Sequence, residues 1–251
     1  MSDVAVIGAA GGIGKFLAAE LGTIPFVRND DVSKLESVRT IIFCAAKAHF
    51  ETPASMLYSS IEDNLLLLER ISRLPHERFV YFSTVDLYPQ DGKVHREDED
   101  LQIENTRGGY PAFKLMGEAI VRERCNMPLI LRPTSLFGDG MRPNNISRLI
   151  SGHTDDPTLR EDASFNCVTY SMIATFIETA IAQDVTGTFN CAATGQVTLG
   201  DVAKLAAYGG GFGPHDYQVP IVSNEKVCKV APVFERTSLD IVKRMLVAAR
   251  Q

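Results

Sequence analysis

A tyrosine and a lysine four residues apart carry the clearest chemical signature of the chain. They stand in the run Tyr110-Pro111-Ala112-Phe113-Lys114, which opens a predicted helix over Gly109–Arg124. Residues four apart share one helical face, so the phenol and the ammonium can converge on one site. A free tyrosine has a pKa of about 10, and a neighbouring ammonium favours the phenolate and lowers that pKa. The pattern predicts that Tyr110 exchanges a proton with a carbonyl or an alcohol and that Lys114 tunes it.

A polar turn follows the predicted strand Arg78–Ser83. It reads Phe82-Ser83-Thr84-Val85-Asp86-Leu87-Tyr88. Ligands of open α/β sheets bind beyond the carboxyl ends of the strands, so a hydroxyl in this turn is predicted to bond the reacting oxygen and direct it to Tyr110. The alternative is a threonine that satisfies its own turn. Asp86 is either a second acid/base or an ordinary turn residue.

A glycine-rich turn near the N-terminus predicts a cofactor site. The predicted strand Val4–Ile7 leads into Gly8-Ala9-Ala10-Gly11-Gly12-Ile13-Gly14 and a predicted helix over Gly12–Leu21. In a dinucleotide loop, Gly8 permits the tight turn, Gly11 lets the backbone approach the pyrophosphate and Gly14 lets the helix pack closely. The helix start, at Gly12 and Ile13, offers free N–H groups to the phosphates. The alternative is a turn without a ligand, but the strand–turn–helix context favours a cofactor.

The end of the predicted second strand, Pro25–Arg28, bears on the choice of cofactor. An acid at this point reads the ribose hydroxyl of NAD, and an arginine pairs with the 2′-phosphate of NADP. Arg28 stands where the strand should stop, so NADP(H) is favoured over NAD(H). Asn29 or Asp30 could still serve NAD, and Arg28 could be a surface residue.

The order of the elements predicts an α/β fold. In the first half, short apolar runs alternate with helical stretches such as Met56–Leu74, which indicates a parallel sheet with crossover helices. With the glycine loop, this predicts a Rossmann-type doubly wound parallel sheet. We expect residues 1–140 to form the cofactor-binding domain. Residues 141–251 are expected to form a smaller substrate-binding portion with elements that return to the core.

Composition excludes several other classes of protein. The 251 residues have a net charge of −6, which argues against nucleic acid as a main partner. Five scattered cysteines without a CxxC pair favour a reducing, cytoplasmic location, and the histidines show no spacing for a metal site. No basic leader and no membrane-length apolar run is found, so neither secretion nor a membrane is expected.

Taken together, these motifs resemble the extended short-chain dehydrogenase/reductase family, in particular its nucleotide-sugar epimerases, dehydratases and reductases. The resemblance covers most of the chain. The matching segments are the Gly8–Gly14 loop, Ala45-Ala46-Lys47, Asn64, Ser83-Thr84, Tyr88, Tyr110…Lys114 and Arg132-Pro133-Thr134-Ser135-Leu136-Phe137-Gly138.

The resemblance implies roles for individual residues. Thr84 takes the family's catalytic hydroxyl position, which gives a Thr84/Tyr110/Lys114 triad. The remaining matches are expected to contact the cofactor: Asp31 and Val32 at the adenine, Pro133 to Ser135 at the nicotinamide, and Ser83, Ala45, Ala46 and Lys47 along the crevice. A homodimer is also usual for the family.

Departures from the family pattern narrow the subclass. Dehydratases carry Thr-Asp-Glu at the turn, whereas this chain has Val85 and Asp86 after Thr84, which disfavours dehydration. An arginine that helps to hold the nucleotide diphosphate is replaced by Ala163. Arg142, Arg148 or Arg160 is a possible substitute, although each is also typical of a solvated surface.

The combined interpretation is an NADP(H)-dependent oxidoreductase that reduces a 4-keto group of a nucleotide-linked sugar, with Tyr110 as proton donor. Two alternatives remain open. One is a nucleotide-sugar 4-epimerase with tightly bound NAD, and the other is a regulator that senses NADP(H) without catalysis. Asp86 and His49 are additional candidates for contact with the small-molecule substrate.

Overall fold

The computed structural model describes residues 3–46, 54–152 and 155–249. Strands in these ranges are β1 (Val4–Ile7), β2 (Ile24–Phe26), β3 (Thr40–Phe43), β4 (Arg78–Phe82), β5 (Pro128–Pro133), β6 (Ser135–Phe137), β7 (Ser164–Phe165), β8 (Cys167–Thr169), β9 (Gly187–Cys191) and β10 (Val197–Thr198). The α-helices are α1 (Gly12–Glu20), α2 (Leu57–Ile61), α3 (Leu67–Ser72), α4 (Gly109–Arg124), α5 (Asn145–Ile150), α6 (Tyr170–Ala182), α7 (Leu199–Ala206), α8 (Glu225–Val230) and α9 (Ser238–Ala249).

Six parallel strands form the main sheet, in the order β2-β1-β3-β4-β5-β9. Both of its faces are buried. Along β1, Val4 and Val6 join the apolar cluster that contains Leu17 of α1, whereas Ala5 and Ile7 join the cluster that contains Val121 of α4. A strand buried on both faces has no polar alternation, which is why its sequence reads as a continuous apolar run.

The strand order places a crevice at the carboxyl edge of the sheet. The chain leaves β1 to one side for β2 and then returns to the other side for β3. Such a change of direction opens the ligand crevice of doubly wound folds. Gly8 and Ala45 meet there, because a Cβ on Gly8 would lie only 2.7 Å from the Ala45 nitrogen.

The helix predicted over Met56–Leu74 has an irregular centre. A π-helical stretch, Glu62–Leu66, separates α2 from α3. Asn64 lies within it, is buried, and donates its side-chain amide to the Ser60 carbonyl at 2.9 Å. Single π turns occur mostly inside α-helices, and here the turn packs against α4, which carries Tyr110 and Lys114.

The second half of the chain contributes both to the main sheet and to separate small sheets. β9 pairs with β5 in the main sheet, whereas β6 pairs with β8 and β7 with β10. The short helices α5 and α8 were not predicted. No helix in the described ranges has the length and apolar character needed to cross a membrane.

The second strand was predicted as Pro25–Arg28, whereas β2 begins one residue earlier and stops two residues earlier. It ends at Phe26, because the Val27 nitrogen donates to the Asp30 carboxylate at 2.8 Å and the chain turns there. Arg28 therefore lies in the turn that follows β2.

Candidate active site

The glycine loop has the shape that a dinucleotide phosphate requires. A Cβ on Gly14 would come within 2.3 Å of the Gly8 carbonyl oxygen, so only glycine lets α1 pack on the strand. At Gly11 a Cβ would meet nothing within 4 Å, which leaves the backbone open to an approaching group. Gly11 caps α1 without a side-chain hydrogen bond, and the first turn contains no acid. The N–H groups at Gly12 and Ile13 thus fit the phosphates of a nicotinamide dinucleotide.

Further predicted cofactor residues lie at the carboxyl ends of β3, β4 and β5. Ala45 is half-buried and Ala46 exposed after β3, and Ser83 is buried after β4. Pro133 ends β5 and is buried, and Ser135 begins β6 and is half-buried. Lys47 and His49 lie outside the described residues.

Tyr110 and Lys114 lie together in the first turns of α4. Lys114 is buried and donates its ammonium to the Phe82 carbonyl oxygen at 2.6 Å. The Lys114 nitrogen lies 5.7 Å from the centre of the Tyr110 ring and 4.9 Å from the centre of the Tyr81 ring. Tyr110 itself is partly exposed. The predicted convergence of phenol and ammonium is therefore present.

The electrostatics of this pair differ from the expectation. Burial lowers the pKa of Lys114 to about 8, although Cys44 and Glu118 oppose the change. Burial of the phenol, together with the nearby Asp86 carboxylate, raises the pKa of Tyr110 above its usual value. The prediction of a lowered Tyr110 pKa is wrong for the protein without cofactor. Loss of hydration raises this pKa, and the ammonium of Lys114 is directed at the Phe82 carbonyl and not at the phenol.

Thr84 and Asp86 form a compact turn that the C-terminal half of the chain completes. The Thr84 hydroxyl accepts from the Asp86 nitrogen at 3.2 Å and donates to the Asp86 carboxylate at 3.1 Å. Tyr217 donates to the other carboxylate oxygen at 3.4 Å. Burial raises the pKa of Asp86, while both hydroxyl donors lower it. Thr84 thus forms hydrogen bonds within its own turn, which is the alternative to a catalytic role that the sequence left open. The turn packs against α4, and Asp86 lies near Tyr110.

A buried ion pair supports the helix beneath the tyrosine and lysine. Glu118 accepts two hydrogen bonds from Arg132 of β5, each at 2.8 Å, and neither side chain is exposed beyond 2%. Arg132 also donates to the Tyr88 hydroxyl at 2.5 Å, which in turn donates to Asn190 at 2.9 Å. The network ties α4 to β5, β9 and the turn after β4.

The sequence of residues 26–154 matches the profile of the NAD dependent epimerase/dehydratase family, over just more than half of the chain. The chain belongs to this family. It is therefore an NAD(P)-dependent enzyme of the short-chain dehydrogenase/reductase type, as its motifs predicted. No individual curated protein sequence matches it.

Solved structures with a similar fold include two kinds of enzyme of this group. UDP-glucuronic acid 4-epimerase from Bacillus cereus, in complex with UDP-glucuronic acid and NAD, has a TM-score of 0.78 at 16% identity over 99% of each chain. A dTDP-4-dehydrorhamnose reductase from Clostridium acetobutylicum has a TM-score of 0.79 at 16% identity over 99% of each chain. The corresponding reductase from Bacillus anthracis, in complex with NADP, has a TM-score of 0.78 at 17% identity, again over 99% of each chain. These similarities confirm the Rossmann-type fold.

Several residues that were predicted to contact the cofactor or the substrate lie at the surface. The Arg28 side chain is 73% exposed and pairs with Asp63. Asp31 caps a short 3-10 turn by accepting from the Ser33 nitrogen at 2.9 Å, and Val32 is exposed. Arg142 is exposed and Arg148 is half-buried.

The missing family arginine has a structural explanation. Ala163, which occupies its place, is fully buried in the larger apolar cluster. An arginine at this point would bring a charge into the core, where an unpaired charge is costly.

Sequence reasoning missed two residues of the site. Tyr217 stands 131 residues from its partner Asp86, and no spacing rule links them. Glu118 was detectable, because it follows Lys114 by four residues and Tyr110 by eight, on the same face of α4.

Proposed function

We propose that this enzyme uses NADP(H) to reduce a 4-keto group of a nucleotide-linked sugar. The observation that carries the proposal is the position of Tyr110, a partly exposed residue that lies beside the ammonium of Lys114 at the carboxyl edge of the sheet. Burial of its hydroxyl raises the pKa of Tyr110, so the phenol keeps its proton at neutral pH. Reduction of a carbonyl consumes one proton, and a group that is protonated at neutral pH can supply it.

Each residue of the site then has a defined task. NADPH, held at the Gly8–Gly14 loop, would supply the hydride for the carbonyl carbon and leave as NADP⁺. Tyr110 gives its proton to the carbonyl oxygen, and the ammonium of Lys114 stabilises the phenolate that remains. The Thr84 hydroxyl donates a hydrogen bond to the same oxygen, in exchange for its bond to Asp86. Asp86 and Tyr217 flank the sugar, where their polar atoms suit its hydroxyl groups.

The preference for NADP(H) rests on Arg28. Its exposed guanidinium follows β2, where family members read the ribose, and arginine suits the 2′-phosphate. The similar reductase from Bacillus anthracis was solved with NADP, which supports this choice, whereas the epimerase from Bacillus cereus was solved with NAD.

The proposal of a nucleotide-linked substrate is supported by the family and by similar structures, one of which contains UDP-glucuronic acid. We assign residues 1–140 to the cofactor and 141–251 mainly to the substrate. We propose that two cations bind the substrate diphosphate. Arg142 lies in the loop that follows β6, and Arg148 lies in α5.

A direct assay tests the proposal. Purified protein is incubated with NADPH or NADH and with UDP-, dTDP- and GDP-linked 4-keto sugars, and nicotinamide absorbance is followed. Consumption of NADPH, strongly slowed in Tyr110→Phe, is the expected result. Release of tightly held NAD on denaturation, with interconversion of C4 epimers, would show an epimerase instead. Cofactor binding without turnover of any substrate would favour the regulator.

We also propose a homodimer in a reducing, cytoplasmic location. The helical segment from Leu57 to Ser72 exposes apolar side chains, namely Leu57, Tyr58 and Leu66, and all five cysteines are free. Exposed apolar clusters of this kind often mark contacts between proteins. Light scattering of the protein and of Tyr58→Glu should show a dimer that the substitution dissociates.

A further inference from the structure

Tyr170 brings a side chain from the second half of the chain to the glycine loop. It is the first residue of α6, and four residues after α6 the chain enters β9 at its amino end. The helix therefore runs antiparallel to the strands of the main sheet and begins at their carboxyl edge. This is the edge at which α1 begins, and α6 packs against α1.

The ring of Tyr170 is fixed by close packing. A Cβ on Gly138 would lie 2.2 Å from this ring, so the ring fills the space that a side chain at residue 138 would need. The Phe16 ring of α1 packs on it at 5.6 Å between ring centres. Only 5% of Tyr170 is exposed. Such packing leaves the hydroxyl little freedom of direction.

The Tyr170 hydroxyl points at the start of α1. A Cβ on Gly12 would lie 3.5 Å from the hydroxyl oxygen. Among the described residues this hydroxyl has no hydrogen-bond partner, and its oxygen retains contact with solvent although the ring is buried. Burial raises the pKa of Tyr170, so the group is an O–H donor at neutral pH. An unused donor is thus held beside the uncapped N–H groups of Gly12 and Ile13.

We propose that the Tyr170 hydroxyl donates a hydrogen bond to the pyrophosphate of the bound nicotinamide dinucleotide. The inference rests on the cofactor binding that the proposed function requires. A phosphate oxygen is the acceptor expected at an uncapped helix start, and it would give the hydroxyl the partner that the protein does not provide. The second half of the chain would then share in holding the cofactor.

Isothermal titration of the full chain with NADPH, NADH and ADP-ribose tests this contact. All three ligands contain the pyrophosphate. Tyr170→Phe keeps the ring and its packing and removes only the hydroxyl. A hydrogen bond to a charged group is worth enough to raise each Kd about tenfold or more. The unfolding midpoint without ligand should stay unchanged. Tyr208→Phe, which removes a hydroxyl that bonds the Asp156 carboxylate, is the matched control and should bind as the unsubstituted protein does.

The outcomes separate the possible errors. Unchanged affinities in Tyr170→Phe would overturn the inference and leave the proposed function intact. A loss for NADPH alone would also overturn it, because the hydroxyl would then contact the 2′-phosphate. If the unsubstituted protein bound none of the three ligands, the proposed function would fail together with the inference.

Discussion

The two ends of the candidate cofactor crevice are built in opposite ways. At the end proposed for proton transfer, charged side chains are buried: Lys114 bonds a carbonyl, and Glu118 and Arg132 bond each other twice. At the end proposed for the adenosine of the cofactor, the charges lie at the surface, where Arg28 pairs with Asp63 and Lys34 with Asp30.

This difference indicates how each end responds to change. A buried charge that loses its partner regains little hydration, so its position is tightly determined and its pKa depends on its surroundings. An exposed pair is screened by water and contributes little, so its members remain free to take a new partner such as a phosphate. The buried end should therefore fix the chemistry, whereas the exposed end should set the choice of cofactor.

The largest effect is expected at Tyr110. Replacement of Tyr110 by Phe removes the proton donor and should lower kcat by about 10²–10⁴-fold. NADPH affinity should change little, because the ring is retained. Steady-state kinetics and titration calorimetry on the same preparation check both statements. A variant with normal kcat would show that the buried end does not carry the chemistry.

The next effect concerns stability. Glu118→Gln leaves the buried guanidinium of Arg132 without its counter-charge and should lower the free energy of unfolding by about 3 kcal/mol or more. Urea denaturation followed by circular dichroism measures the change. A loss no larger than that of an exposed pair would contradict the contrast between the two ends.

The pH dependence of the proposed reduction should report on the protonation of Lys114. Its pKa of about 8 means that the ammonium is present below that pH and is lost above it. Since Tyr110 stays a phenol over this range, kcat/KM should fall by roughly tenfold per pH unit above about pH 8. In Lys114→Arg, whose side chain stays charged, this decline should be absent. If kcat/KM of the unsubstituted enzyme stayed constant up to pH 10, the ammonium of Lys114 would not be needed for the reaction.

The exposed end is expected to control cofactor choice. Arg28→Ala should weaken NADPH binding about tenfold, as for loss of a charge-assisted bond, and leave NADH binding unchanged. Arg39→Ala, which removes another exposed arginine from an ion pair, is the control. Equal losses for both cofactors would mean that Arg28 does not read the 2′-phosphate.

The smallest effect is expected at the Lys34–Asp30 pair. Lys34→Gln breaks an ion pair whose lysine is half exposed, so the urea midpoint should not change measurably. A clear destabilisation would show that the exposed end is more rigid than its accessibility suggests.

Local rules predicted those parts of the fold and site that lie within one element. Glycine spacing gave the loop, since Gly8 and Gly14 must pack without side chains, and this holds in the structure. The four-residue spacing put Tyr110 and Lys114 on one face of α4. The second strand was predicted to end two residues too late, because the Asp30 side chain competes for the backbone at Val27.

Contacts between distant segments were not predictable in this way. Asp86 meets Tyr217, and Tyr170 meets Gly12, only after the second half of the chain has folded onto the first. The direction of the Tyr110 pKa depends on burial and on Asp86, and neither can be read from the YxxxK spacing.

The sequence by itself determined the sheet, the glycine loop and the tyrosine–lysine pair, because each depends on backbone conformation and on spacing within a single turn or helix. The tertiary structure alone decided which charges are buried, which hydroxyl faces the glycine loop and whether the pKa of Tyr110 is raised or lowered. These properties depend on hydration and on neighbours that are remote in the chain, and a local pattern of residues carries no information about either.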